Sequence, residues 1–210
     1  APRGHRGAHL EVLDGRDHLI SDYLSSEWLG GLSLVERDFL MRSSVLELLS
    51  GAVCNHLLGR SDSGDVLHRI YIDRHLVIPL DRRNESYRTH SLLRDALLTE
   101  FERLDSVGLR DAHLKASEWF VTTGDIDRAV RHRLAAGDLD AAEQLIGTHA
   151  PAYFTNGRYA TVSRWLESVP TEHIARNPSL CLGAALASLG LGDEAATAMW
   201  LRYAKRVVAA

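Results

Sequence analysis

Apolar positions recur at helical spacing over most of the 210 residues, and the interruptions carry the organisation. From Asp17, the positions Leu19, Ile20, Tyr23, Leu24, Trp28 and Leu29 share one face until Gly30 and Gly31 stop the pattern, which predicts a first helix. Ser33, with Glu36 three residues on, is a helix-capping signature. It opens a second helix that the pattern carries through Val35, Phe39, Leu40, Val45, Leu46 and Leu49 to Gly51. A short third helix over Val53 to Leu58 closes at Gly59, and a fourth opens at 61–65 with Val66, Leu67, Ile70 and Tyr71 as its buried stripe. The period then changes. "HLVIPL" (75–80) is apolar and rich in strand formers, "DRRNE" is turn-like, and "SYRTH" (86–90) returns as a second strand. This β-hairpin feeds a helix with Leu92, Leu93, Ala96, Leu97, Phe101 and Leu104 on one face. Helices, a hairpin and a closing helix in this order predict a winged-helix domain over 17–107.

Beyond Leu109 the periodicity is wholly helical and carries a repeated punctuation: "GDIDRA" at 124–129, "GDLDAA" at 137–142 and "GDEAA" at 192–196. In each, Gly can end one helix in the left-handed conformation while Asp caps the next. Trp119, Phe120, Ile126, Ala129, Val130 and Leu134 are positioned to fill one helical pair, and Leu139, Ala142, Leu145 and Ile146 begin another. The reading for 108–210 is an incomplete helical-repeat domain of tetratricopeptide-like type, with Pro170 and Pro178 setting further breaks. "RVVAA" is not a polar solenoid cap, which suggests a piece of something longer. Residues 1–16, rich in Gly, Arg and His, read as a linker or a domain edge. The fold class expected is therefore mainly α, a winged helix with a small β-hairpin followed by a helical-repeat superhelix.

Composition narrows the function. Hydrophobic residues make up 45% of the chain and charged residues 25%, ordinary material for a packed core. The net charge of −4 gives no global attraction for nucleic acid or an anionic membrane. Without a signal peptide or a bilayer-length apolar run, and with only Cys54 and Cys181 far apart in apolar surroundings, the expected compartment is the cytoplasm with no membrane partner.

Candidate chemistry is sparse. The eleven histidines bring no Cys or carboxylate cluster at ligand spacing, and no metal site is expected: His68 and His75 lie two turns apart, and His5 and His9 fall in the first segment. Cys54 has His56 two residues away but no orienting partner, so a nucleophilic enzyme is not indicated. A Gly-rich run ending in Gly-Lys-Ser/Thr, needed to wrap phosphates, is missing from the chain. No catalytic residues and no cofactor are expected within these residues. The helix before the wing, 62–74, sets Arg69 and Arg74 against Asp62, Asp65 and Asp73, too little positive charge for the phosphate contacts of direct DNA binding. His90 admits two readings. It either closes the second wing strand through a backbone carbonyl, or offers an imidazole beside a helix N-terminus to an anion.

Taken together, "DYLSSEWL", "RDFLMRSSVLELLSGAVCNHLLG", "LVIPLDRRNESYRTHSLLRDALL", "HLKASEWFVTTGDIDRAVRHRLAAGDLDAAEQLI" and "RWLESVP…NPSLCLGAAL" resemble the central part of the large ATP-dependent LuxR-type transcriptional regulators typified by MalT. These are signal-transducing ATPases with numerous domains. The resemblance implies a P-loop nucleotide domain upstream that binds ATP or ADP, an inducer or regulatory protein on the superhelix, and DNA binding through a C-terminal helix-turn-helix outside the chain. It also implies that His90 senses the nucleotide phosphate, although "YRTH" departs from the Met-His-Asp form of the animal and plant relatives. The expected role is a central switch and sensor. The alternatives are a helical-repeat protein-interaction scaffold, such as the regulatory region of a bacterial protein kinase, with Tyr159, Trp165 or Trp200 as anchors, and a direct winged-helix DNA binder.

Overall fold

The computed structural model describes residues 31–209, so the expected helix at 17–29 and the segment 1–16 lie outside the described residues. The chain divides into two compact units, one ending at Ala112 and one beginning at His113.

In the first unit, helix α1 (Leu34–Ser43) starts as its sequence dictates: the Ser33 side chain accepts from the Glu36 backbone N–H while the Glu36 carboxylate accepts from the Ser33 N–H at 2.8 Å. It ends earlier than periodicity predicts. Ser43 and Ser44 turn their hydroxyls back onto the carbonyls of Leu40 and Met41, the latter at 2.6 Å, which competes with continued helix. Val45 and Leu46 are still buried, but from irregular chain, and Leu49–Ser50 is a strand, β1. One expected helix is thus a helix, a loop and a strand. Val35, expected on the buried face, is exposed.

Helix α2 (Gly51–Leu58) ends at the left-handed Gly59, and α3 (Ser63–Arg69) runs on into a π-helical turn, Ile70–Arg74, closed by His75 at φ 56°. Helices α2 and α3 meet backbone to backbone, since a Cβ on Gly51 would stand 3.2 Å from the Gly64 Cα and N. The hairpin follows as β2 (Val77–Pro79) and β3 (Ser86–Thr89), and then α4 (Ser91–Leu104). The sheet is antiparallel in the order β1-β3-β2, with Leu49 opposite Tyr87, and Val77 opposite Thr89. Pro79 is tolerated because β2 is an edge strand. Phe39, Leu40, Leu67, Ile70, Tyr87, Leu93, Leu97 and Phe101 are fully buried in this unit, whereas Leu92 and Leu104, expected on the same face as Leu93, are exposed.

Helix α5 (Ser106–Thr122) leads into helices α6 (Ile126–Ala135), α7 (Leu139–Thr155), α8 (Tyr159–Glu167), α9 (Thr171–Arg176), α10 (Pro178–Gly190) and α11 (Glu194–Val208). Each Gly-Asp junction closes as its residues predict. Gly124, Gly137 and Gly192 have φ of 78°, 69° and 80°, and Asp125, Asp138 and Asp193 accept from the backbone N–H three residues on. A fourth junction, Gly157-Arg158, has the same paired backbone bonds, Arg158 N–H to Tyr153 O at 2.8 Å and Gly157 N–H to Phe154 O at 3.0 Å, without an acidic cap. The core of this unit gathers Val130, Ile146, Val162, Trp165, Leu166, Ile174, Leu180 and Cys181. No helix among the described residues is long and apolar enough to cross a membrane.

Candidate functional site

The wing corner is set by alternation along β3. Tyr87 and Thr89 point inward and are buried, so Arg88 and His90 point outward and are exposed. Ile78, opposite Arg88 on β2, shares this outer face. His90 is the N-cap residue of α4, in extended geometry; its carbonyl accepts from the Arg94 N–H at 2.9 Å and its imidazole makes no capping bond. The strand ends one residue before it, at Thr89. The backbone closes the corner while the imidazole is presented on the outer surface.

The wing turn is held by Asp81, whose carboxylate accepts from the backbone N–H groups of Arg83, Glu85 and Ser86 at 2.8, 3.1 and 2.7 Å. These bonds, that from Glu85 foremost, hold its carboxyl below the usual range against the opposing effect of burial. Beneath the outer face, the Tyr87 hydroxyl is buried without a hydrogen-bond partner among the described residues, and burial pushes its phenol up. Sequence reasoning singled out His90 but passed over both Asp81 and Tyr87. Only the three convergent N–H groups distinguish Asp81 from an ordinary turn acid.

The helix before the wing offers little to DNA. Arg74 reaches Glu36 at 3.5 Å, and Asp62 is taken by Arg60 at 2.6 and 2.8 Å. Asp65, His68, Arg69 and Asp73 are exposed. The buried Cys54 thiol is pushed up to about 12 by desolvation, and Cys181 is buried with its thiol donating to the Ile174 carbonyl at 3.0 Å; neither is placed to act as a nucleophile. Among the described residues no group of three or more His, Cys, Asp or Glu is placed to hold a metal ion.

In the helical unit the three expected anchors separate. Trp165 is 1% exposed and belongs to the core, as aromatic residues at helical spacing more often do, and is not available as an anchor for the scaffold alternative. Its indole N–H donates to Asp127 at 2.7 Å, and the same carboxylate oxygen accepts from Arg164 at 2.9 Å. Burial raises the Asp127 carboxyl, but the indole and the guanidinium outweigh it and leave the group below its ordinary value. Trp200 is half-buried against the core, and Tyr159 is half-buried and stacked on Phe154 at 5.7 Å. His113 and His132 meet through their Nδ1 atoms at 2.9 Å, a pair on neighbouring helices that spacing alone did not reveal.

Residues 25–107 match the family described as the MalT winged helix domain. Over that span the chain is similar to a MalT winged helix. The chain is 27% identical over 163 residues to the HTH-type transcriptional regulator MalT of Klebsiella pneumoniae (strain 342), covering 78% of this chain and 18% of that protein. Over 183 residues it is 28% identical to the serine/threonine-protein kinase PknK of Mycobacterium tuberculosis (strain ATCC 25618 / H37Rv), covering 86% of this chain and 16% of the kinase. MalT of Cronobacter sakazakii (strain ATCC BAA-894) matches at 27% over 163 residues. The chain thus spans less than a fifth of the length of these relatives.

Proposed function

We propose that the chain is the central switch and sensor region of a nucleotide-dependent transcriptional regulator. The observation that carries this reading is the order of parts: a MalT winged helix followed by capped helical hairpins, within a match to MalT that continues past the winged helix. The parent protein supplies an upstream domain that binds ATP or ADP and a DNA-binding domain, and the helical hairpins take an inducer or a regulatory protein. In the closed state the outward imidazole of His90 meets the phosphate of ADP held on the upstream domain; inducer and ATP each prefer the open, oligomerising state. The chain itself does no chemistry and holds no cofactor.

Replacing His90 by Ala in the full-length protein is expected to lower retained ADP and raise basal oligomerisation. Unchanged values on both measures would remove His90 from the sensor. A second reading, the regulatory region of a protein kinase, is favoured by the match to PknK, which covers more of this chain than the MalT match does. Capture of a kinase on the chain regardless of nucleotide would select it. Direct DNA binding is disfavoured by the charge balance of 62–74.

A further inference from the structure

In the helical unit, α8, α9, α10 and α11 line a half-open cleft of about 390 Å³, within the size range of small-molecule sites. Leu166, Ile174, Ala184 and Ala187, all buried, form its apolar floor, while Ser163, Thr171 and Ser188 add hydroxyl groups to the lining. Ala184, Ala187 and Ala196 contribute only small side chains to the lining. The indole of Trp200 forms a wall.

The charged groups that line it are both acidic, Glu167 and Asp193. Asp193 already accepts from the Ala196 N–H as the cap of α11, and Glu167 accepts from the Ser163 hydroxyl at 2.8 Å. A carboxylate holds more than one donor, so Glu167 retains acceptor capacity toward the cleft. An apolar floor, an aromatic wall and carboxylates without a lining cation together select against anions. They suit an ammonium group carried on an apolar body, through charge-assisted hydrogen bonding and cation–π attraction.

We infer that this cleft is a binding site for a small organic amine. The inference rests on the reading of the helical hairpins as a sensor and gives that sensor a location and a ligand class.

The test titrates the 210-residue chain with phenethylamine, 2-phenylethanol and 3-phenylpropionate, following the Trp200 indole N–H by NMR with Trp200→Phe for assignment. The amine is expected to saturate the response, with the alcohol about tenfold weaker and the carboxylate without effect. Ala187→Leu, which enlarges a residue of the floor, should abolish the response. Glu167→Gln, at the solvent rim where folding is not at stake, should weaken the amine about tenfold and leave the alcohol unchanged. Equal binding of amine and alcohol, a response that survives Ala187→Leu in a folded variant, or a flat titration with all three compounds overturns the site. An amine that binds here but leaves ADP retention by the full-length protein unchanged upholds the site and sinks the switch.

Discussion

Tyr87 is a large side chain carried to the centre of a small domain with its hydroxyl unsatisfied among the described residues. Removing that oxygen removes a desolvated polar group and leaves the ring packing intact, so Tyr87→Phe is expected to leave stability unchanged or raise it by about 1 kcal/mol, as measured by denaturant midpoint. Asp127 is the opposite case, a carboxylate on which two donors converge. Asp127→Ala strands a buried indole N–H and is expected to cost about 3 kcal/mol. Because the folded carboxyl lies below its ordinary value, its contribution is present at neutral pH and is lost as pH falls through that folded value. Asp127→Asn should flatten this part of the acid dependence in a thermal-unfolding series. Neither residue stood out in the sequence: Asp127 is one of two acids in "GDIDRA", and the partner that gives it meaning lies 38 positions away.

At the scale of elements, the junctions were legible because their causes are local. A glycine at positive φ and an aspartate reaching three residues forward need no tertiary partner, so all three Gly-Asp motifs close as their residues dictate. Gly137→Ala forces a Cβ into the left-handed region and is expected to cost about 1–2 kcal/mol, whereas the exposed helical Gly147→Ala, with open space for its Cβ, is expected to stabilise by about 0.5–1 kcal/mol in the same unfolding measurement. The fourth junction escaped because Arg158 stands where the motif carries Asp; its guanidinium lies over the Tyr153 ring at 4.3 Å. Strand β1 was illegible for a different reason. Two residues pairing with a strand 37 positions later leave no period to read, and their apolar neighbours Val45 and Leu46 continued the helical count while the chain was no longer helical. The outer placement of His90 was half-legible: alternation in "SYRTH" sets the parity, but which parity faces the core depends on the pairing of Tyr87 with Leu49.

For the molecule as a whole, net charge and domain order argue in the same direction. A chain at −4, with Asp62 and Arg74 of the helix before its wing engaged by Arg60 and Glu36, is expected to give a flat DNA titration even at low salt; salt-dependent saturation would restore the direct-binder reading. The same wing has a consequence for the gene. Residues 80–85 join the two strands, and Asp81 reaches the N–H groups at 83, 85 and 86, so the turn counts the chain between them. A one-codon insertion that slid β3 by one position would turn Arg88 and His90 into the core and Tyr87 and Thr89 out of it, while a two-codon insertion would preserve the parity. The wing reads its own length in pairs of codons, and the address of His90 is written in that count.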